Sequence, residues 1–346
     1  MSCDKKLKIM VLTAEDSLKV FRMTEERITA ALERHPEIGN MASFSIVRTT
    51  TSYENDPSWN ENDHRIFYEN IQDADILVGY MFPLKNLEKE ATRLRWIHII
   101  GAGVEHLCPL TWLPKGVALT NNRGAHAPKT YEYAMMAILM LGNHIPRLAT
   151  AQRESRWDGH FVTVVQGRTI VVLGAGKQGT AVARAAKCLC LRTVGIDLNT
   201  TPREFFDCIV PPDELLSVLP SADFVGITLP LTPETDKFIG KRELQVMKPE
   251  AGLFNISRGG VLDTAALLEA LHSGNLSGAV LDVYETEPLF SDSPLWKAPN
   301  LIMTPHMGCD DEENYIGRTF DIVMENILRL TRGEVLENLI DSDRGY

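Results

Sequence analysis

No apolar run in this chain is long enough to cross a bilayer. The longest, YAMMAILMLG from Tyr133, is about half of the ~20 residues a spanning helix needs, so no membrane-embedded role is expected. The opening MSCDKKLKIMVLTAED has a basic start, but its apolar run covers only Ile9 to Leu12 before acidic residues follow. That is too short for a signal-peptide core and reads as a first strand. The six cysteines, at 3, 108, 188, 190, 208 and 309, never form a Cys-x-x-Cys pair. Their scatter argues against a zinc site or a disulfide framework, so no metal is expected and a cytoplasmic location fits best. Excess positive charge is missing too. Thirty-five basic residues against 46 acidic leave a net charge of −11, which argues against a general affinity for nucleic acid or anionic lipid. An anionic substrate would need a local cluster of cations or backbone N–H groups. No internal repeat of short period is present.

What the chain does have is ordinary globular material, 44% hydrophobic and 23% charged over 346 residues, enough for two domains. Short apolar runs, KIMVLT, SFSIVR, DILVGY, RWIHII and GVALTN, alternate in the first 121 residues with helical patterns such as MTEERITAALERH and LKNLEKEATRL. Strand–helix alternation predicts a parallel sheet covered on both faces. The polar stretch TTTSYENDPSWNENDH reads as a surface loop. A second series begins near residue 168, with RTIVVLG, RTVGID, DFVGITL, AGLFNIS, SGAVLDV and LIMTPH as six strands. One of its helices, DTAALLEALHSG, has Asp263 as N-cap and Gly274 as stop. The amphipathic segment NYIGRTFDIVMENILRLTRG lies beyond the sixth strand and is expected to pack back on the first domain. KTYEYAMMAILMLGNHI is unusually apolar, and suits either a subunit interface or an intramolecular core.

The stretch VVLGAGKQGTAVARAAK, from Val171, sets three glycines between a strand and an alanine-rich helix. Gly174 allows the tight turn, Gly176 lets backbone approach a pyrophosphate, and Gly179 lets the helix sit close to the sheet. Lys177 and Gln178 open that helix, whose N-terminus would face the phosphates. Eighteen residues after Gly179 the next strand ends in Asp197, whose carboxylate can accept ribose hydroxyls and repel a 2′-phosphate. The following residues, Leu198 to Thr201, contain no arginine or lysine. NAD is therefore expected, with NADH favoured over NADPH.

Three C-terminal strand ends carry candidates for carbonyl chemistry: Arg258 in NISRGG, Glu287 in LDVYETEPL and His306 in LIMTPHMG. Together with WIHIIGAGVEHL, LTNNRGAHAPKTYEYAM, QRESRWDG and LPLTPET, all in order along the chain, these motifs resemble those of the D-isomer-specific 2-hydroxyacid dehydrogenases. The group includes glyoxylate/hydroxypyruvate reductases, phosphoglycerate dehydrogenases and D-lactate dehydrogenases. The resemblance implies two doubly wound α/β domains: a discontinuous, flavodoxin-like substrate domain, 1–122 and 310–346, and a Rossmann dinucleotide domain, 123–309, closing on a 2-oxo acid.

By that resemblance His306 is the acid/base, and Glu287 holds its other ring nitrogen, fixing the tautomer and favouring the imidazolium. Arg258 binds the substrate carboxylate and carbonyl, assisted by backbone N–H groups of Ala102 and Gly103. The resemblance also assigns Asp282 to the nicotinamide amide, Leu229 and Pro230 to the adenosine side, and a homodimer as the assembly. Some positions depart from the family pattern. Cys309, Asp310 and Asp311 follow the histidine motif, where the acids either cap the next helix or alter substrate choice. Thr228 stands where histidine is common. Structural roles are expected for His126 and Glu132, and Met81, Phe82 and Trp157 are candidates for a pocket wall. A second reading stays open: an NADH-sensing, corepressor-like binding protein of the same fold. Oxidation of formate is disfavoured, because that branch carries glutamine where Glu287 stands.

Overall fold

The computed structural model describes residues 6–53 and 59–341. The chain divides into two compact units, one formed by residues up to Ala125 and from Asp311 onward, the other by His126–Asp310.

The first unit is built on five parallel strands, β1 (Leu7–Ala14), β2 (Ala42–Thr49), β3 (Ile76–Gly79), β4 (Trp96–Ile99) and β5 (Ala118–Thr120), in the order β2-β1-β3-β4-β5. That is the flavodoxin-like order. Successive side chains of β1 part to opposite faces. Ile9 and Val11 join a core with Ile76, Val78 and Trp96, whereas Met10 and Leu12 join another with Leu77, Ile97 and Ile99. Burial on both faces is why these strands read as unbroken apolar runs. Thr24 caps the helix Glu25–Arg34, its hydroxyl accepting from Arg27 N. The C-terminal helix, Tyr315–Arg332, lays Ile316, Phe320, Val323, Met324 and Ile327 on the Ile9 face, as its amphipathic pattern predicts.

Two readings of this unit need correction. LKNLEKEATRL forms a single helical turn, Leu87–Glu90, after Asn86 in the left-handed region at φ 62°. Leu87, Ala91 and Leu94 are buried, as their spacing implies, but the burial is reached through turns rather than a continued helix. The polar stretch predicted as a loop ends earlier than expected. Asn60 caps a helix, Glu61–Ile71, by accepting from Asp63 N at 2.9 Å. Residues 54–58 of that stretch, and Cys3, lie outside the described residues.

The second unit carries seven parallel strands rather than six: β6 (Thr169–Leu173), β7 (Arg192–Ile196), β8 (Cys208–Val210), β9 (Phe224–Ile227), β10 (Gly252–Asn255), β11 (Gly278–Leu281) and β12 (Leu301–Met303). Their order is β12-β11-β10-β9-β6-β7-β8. The unforeseen strand is β8, three residues at the sheet edge paired only to β7 and half exposed, too short and too polar in its surroundings to give a periodic signal. The winding reverses between β6 and β9, the switch point where such sheets bind ligands. Asp263 and Gly274 bound the helix Thr264–Ser273 as expected, with Asp263 accepting from Ala266 N and Gly274 at φ 78°. The apolar helix Ala127–Gly142 buries Tyr133, Ala134, Ala137, Ile138 and Leu141 within this unit, against β6, β9, β10 and β11. These five residues serve an intramolecular core, while Leu139 on the same helix stays exposed. Among the described residues, no helix is long and apolar enough to cross a membrane.

Candidate active site

At the switch point, β6 runs through Leu173 into Gly174 at φ 89°, and the helix Lys177–Cys188 starts directly behind it. A Cβ on Gly179 would lie 1.9 Å from the Gly174 carbonyl oxygen, so only glycine lets the helix start this close to the loop. Gly176 is the reverse case: nothing lies within 4 Å of a Cβ there, and as N-cap it offers no side chain to cover the helix N-terminus. The result is an open, positively polarised backbone cradle of the kind a pyrophosphate fits. Thr228, at the end of β9, fastens the loop, its hydroxyl set against the Leu173 and Gly174 carbonyl oxygens at 2.9 and 2.8 Å. The hydroxyl in place of the usual histidine thus has a structural use. Leu229 and Pro230 follow it beside the cradle, and Pro230 O accepts from Thr235 at 2.6 Å.

Asp197 stands at the end of β7, but its carboxylate is already engaged. Oδ2 accepts from Ala175 N at 2.8 Å and from Arg203 Nη1 at 3.0 Å, and Oδ1 accepts from Asn199 N at 2.9 Å and from Arg203 Nη2 at 3.4 Å. Burial opposes ionisation of Asp197, yet the Arg203 bond and the two N–H groups outweigh it and hold the carboxyl below its ordinary range. Leu198 to Thr201 contain no arginine or lysine, but Arg203, two residues beyond Thr201, is folded back onto the acid by the loop.

The loops after β10, β11 and β12 bring the carbonyl-chemistry candidates to neighbouring strand ends. His306 Nδ1 lies 2.6 Å from Glu287 Oε2, while Glu287 Oε1 accepts from Tyr284 N at 2.9 Å. An ionised carboxylate only accepts, so Nδ1 carries the proton and Nε2 is left for a reacting oxygen. The His306 side chain is 46% exposed, which gives a substrate access to it. Arg258 extends from the loop after β10, with Nη1 donating to Ser257 O at 2.8 Å. Buried Asn255 shapes that loop: its Oδ1 accepts from Ser257 N and Oγ, and its Nδ2 donates to Arg258 O. A Cβ on Gly259 would fall 1.9 Å from the Tyr284 carbonyl carbon, so the Arg258 and Glu287 loops pack backbone to backbone.

Asp282 is 1% exposed and faces inward. It accepts from Thr304 Oγ1 at 2.5 Å and from Met307 N and Gly308 N at 3.0–3.1 Å, while its carbonyl oxygen accepts from His306 N at 2.8 Å. Tyr133 in turn donates to Thr304 at 2.7 Å. Burial outweighs these donors and holds the Asp282 carboxyl above its ordinary range. This network carries His306 at φ 49°, in the left-handed region. Asn255, Thr304 and Tyr133 went unassigned in the sequence; only the polar residues inside otherwise apolar strand ends hinted at them.

The remaining candidates separate. Ala102 and Gly103 belong to the first unit, in the loop after β4, where Ala102 O accepts from Asn121 Nδ2. Asp311 accepts from Asn314 N, in the turn before the C-terminal helix, and from Arg318 Nη2, and Asp310 lies 3.2 Å from His126 Nδ1. Glu132 pairs with Lys129. Phe82 is core, stacked on Phe67, and Trp157 is 98% exposed.

Comparison with known proteins agrees with this geometry. Residues 135–308 match the family model described as D-isomer specific 2-hydroxyacid dehydrogenase, NAD binding domain. The chain is 33% identical to D-3-phosphoglycerate dehydrogenase of Methanocaldococcus jannaschii over 79% of its own length and 53% of the relative's, so it spans about half of that protein. It is 32% identical to glyoxylate reductase of Korarchaeum cryptofilum, over 81% of this chain and 86% of the relative. A crystal structure of a D-isomer specific 2-hydroxyacid dehydrogenase from Xanthobacter autotrophicus Py2, in complex with NADPH and MES, superimposes with a TM-score of 0.79 at 26% identity, covering 98% of this chain and 99% of that one. With its glycine cradle, its parallel sheets and its Arg, Glu and His at neighbouring strand ends, this chain belongs to the D-isomer-specific 2-hydroxyacid dehydrogenase family.

Proposed function

We propose that this member of the family reduces a small 2-oxo acid to the D-2-hydroxy acid with a reduced nicotinamide dinucleotide, and runs the reverse oxidation when product accumulates. The observation that carries the reading is the His306–Glu287 pair, 2.6 Å apart with Nε2 left over, beside a glycine cradle fitted to a dinucleotide. When bound, the dihydronicotinamide supplies the hydride equivalent that the carbonyl carbon receives. His306 gives its Nε2 proton to the developing alkoxide, and Glu287 fixes the ring orientation through Nδ1. Arg258 grips the substrate carboxylate and polarises the carbonyl through its planar fork. Backbone N–H groups of Ala102 and Gly103 are the partners assigned to the remaining carboxylate oxygen.

For the cofactor, Gly174, Gly176, Lys177, Gln178 and Gly179 are assigned to the pyrophosphate, Leu229 and Pro230 to the adenosine side, and Asp197 to the ribose. Asp282 Oδ1 takes three donors and holds the His306 loop, while Oδ2, which accepts from Gly308 N, is the oxygen assigned to a nicotinamide amide. Asp197 favours NADH in principle, but its pairing with Arg203 removes much of the charge on which that preference rests. The relatives named glyoxylate reductase support a small substrate, and the enzyme names among them disfavour the corepressor-like reading. A homodimer is the assembly we assign by analogy with the family.

The test is loss of NADH absorbance with glyoxylate, hydroxypyruvate, pyruvate and phenylpyruvate in turn, repeated with NADPH. Turnover with one of them supports the reaction and sizes the pocket. Tight dinucleotide binding with no turnover on any 2-oxo acid would instead favour the binding protein.

A further inference from the structure

His144 is a buried imidazole that the fold leaves unmatched. Its side chain is 7% exposed, and among the described residues neither ring nitrogen has a hydrogen-bond partner: Nδ1 is buried without one, and Nε2 meets only the Glu250 carboxylate, 3.8 Å away. A buried polar group in this state costs stability unless a water or an ion completes it. Its position is set by the backbone. His144 turns the chain between the helices Ala127–Gly142 and Ile145–Arg153 at φ 51°, its N–H donating to Leu141 O and its carbonyl oxygen accepting from Leu148 N, both at 3.0 Å. A second imidazole lies against it. His160 comes from the irregular segment before β6, and the two rings stack with centroids 4.9 Å apart and planes 11° from parallel. Glu250, 78% exposed, stands just ahead of β10. Ligand atoms of His144, His160 and Glu250 all fall within 4.8 Å of one another. Among the described residues neither His160 nor Glu250 makes another hydrogen bond or ion pair, so no partner competes for them.

We propose that His144, His160 and Glu250 form a binding site for a divalent transition metal, zinc above all, at the opposite end of β10 from Arg258. The scattered cysteines bear only on thiolate sites; two imidazoles and a carboxylate are a donor set that zinc takes. The donors decide the class of metal. Magnesium and calcium need oxygen-rich surroundings, whereas imidazole suits zinc, copper and nickel. A ligating imidazole must be neutral, and burial, followed by the neighbouring His160, holds His144 below its ordinary range. Arg147 and Arg168 act in the same direction. Both are anchored elsewhere, Arg147 on Asp158 at 2.8 Å and Arg168 on Thr163 O at 3.0 Å, so they stay as fixed charges that discourage a weakly held cation. Tetrahedral zinc sets its ligand atoms about 3.4 Å apart, so the trio closes by about 1.4 Å at most. His144 stays in place while the exposed Glu250 side chain turns and His160 tilts out of the stack to aim its lone pair at the same point. Water completes the fourth position. The ion would join three segments far apart in sequence and tie the one that carries Trp157 and Phe161 to the sheet.

Zinc titrated into the whole, tag-free chain after EDTA treatment, followed by calorimetry and by thermal melts, tests the site without dinucleotide or 2-oxo acid. The result is independent of the proposed reaction. One equivalent of zinc should bind, and at a hundredfold excess over Kd it should raise the melting temperature by about 3–7 °C. Magnesium at the same concentration should do neither. His160→Ala and Glu250→Gln, at side chains that are not buried, should each weaken zinc binding by about tenfold or more while the metal-free proteins melt with the wild type. His306→Asn should leave zinc binding unchanged, which separates this site from the His306–Glu287 pair. Absence of zinc binding overturns the proposal. So does binding that the His160 and Glu250 variants leave intact, since the ion then sits on exposed thiols or at His306, and so does equal uptake of magnesium.

Discussion

Gly176 and Gly179 stand three residues apart in one loop, yet alanine should act differently at the two. At Gly179 the added methyl would lie 1.9 Å from the Gly174 carbonyl oxygen and 2.9 Å from its carbon, where contacts below 3.0 Å force something to move. The obstacle is backbone held in place by Thr228, so the helix Lys177–Cys188 must retreat by about 1 Å. Overpacking of this kind costs about 1–3 kcal/mol, which for a unit of this size lowers the melting temperature by roughly 2–12 °C. Retreat of the helix N-terminus should weaken NADH binding as well. At Gly176 nothing lies within 4 Å, and the backbone, φ −72° and ψ −161°, is ordinary for alanine. Gly176→Ala should therefore melt within about 0.5 kcal/mol of wild type while losing about tenfold or more in NADH affinity, because the methyl fills the space meant for the pyrophosphate. Thermal melts and a fluorescence titration with NADH read both quantities. A Gly179→Ala protein that melts with the wild type would refute the packing argument, and unchanged NADH affinity in Gly176→Ala would refute the cradle.

Replacing His306 with Asn should lower kcat by about 10²–10⁴-fold while NADH binds as before; an unimpaired steady-state rate would remove His306 from the proton transfer. His98 is wholly buried, and burial pushes its imidazole down to about 4. An unfolded histidine titrates near 6.5, so below that pH the unfolded chain binds a proton that the folded one does not. The first unit's stability contribution is complete above about 6.5 and should fall by roughly 2 kcal/mol by pH 5. Urea unfolding of wild type and His98→Phe between pH 7 and 5 checks this, since the decline should be about 2 kcal/mol smaller in the variant, with buried His144, also held below its ordinary range, contributing to both. Thr304→Val deprives Asp282 of its 2.5 Å hydroxyl donor and Tyr133 of its acceptor, so chemical denaturation should register a loss of about 1–3 kcal/mol.

What the sequence by itself determined was whatever local pattern encodes. Strands buried on both faces show as unbroken apolar runs, and nearly all were legible for that reason. Asp263 and Gly274 marked a helix because capping depends on residues within one turn. The three glycines announced the cradle because a strand–turn–helix junction is itself a local object. Arg258, Glu287 and His306 were visible as the ends of strand motifs in family order. The tertiary structure alone decided which side chains meet across the sheet. Thr228 meets Gly174 because β9 pairs with β6, and Tyr133, Asp282 and Thr304 meet because a helix crosses the ends of β11 and β12. Arg203 turns back on Asp197 through a loop whose path no periodicity describes. Strand β8 was missed because an edge strand of three half-exposed residues carries almost no hydrophobic signal. The chemistry of the site lay in the sequence, whereas the charge state of its cofactor end depended on contacts that exist only once the chain is folded.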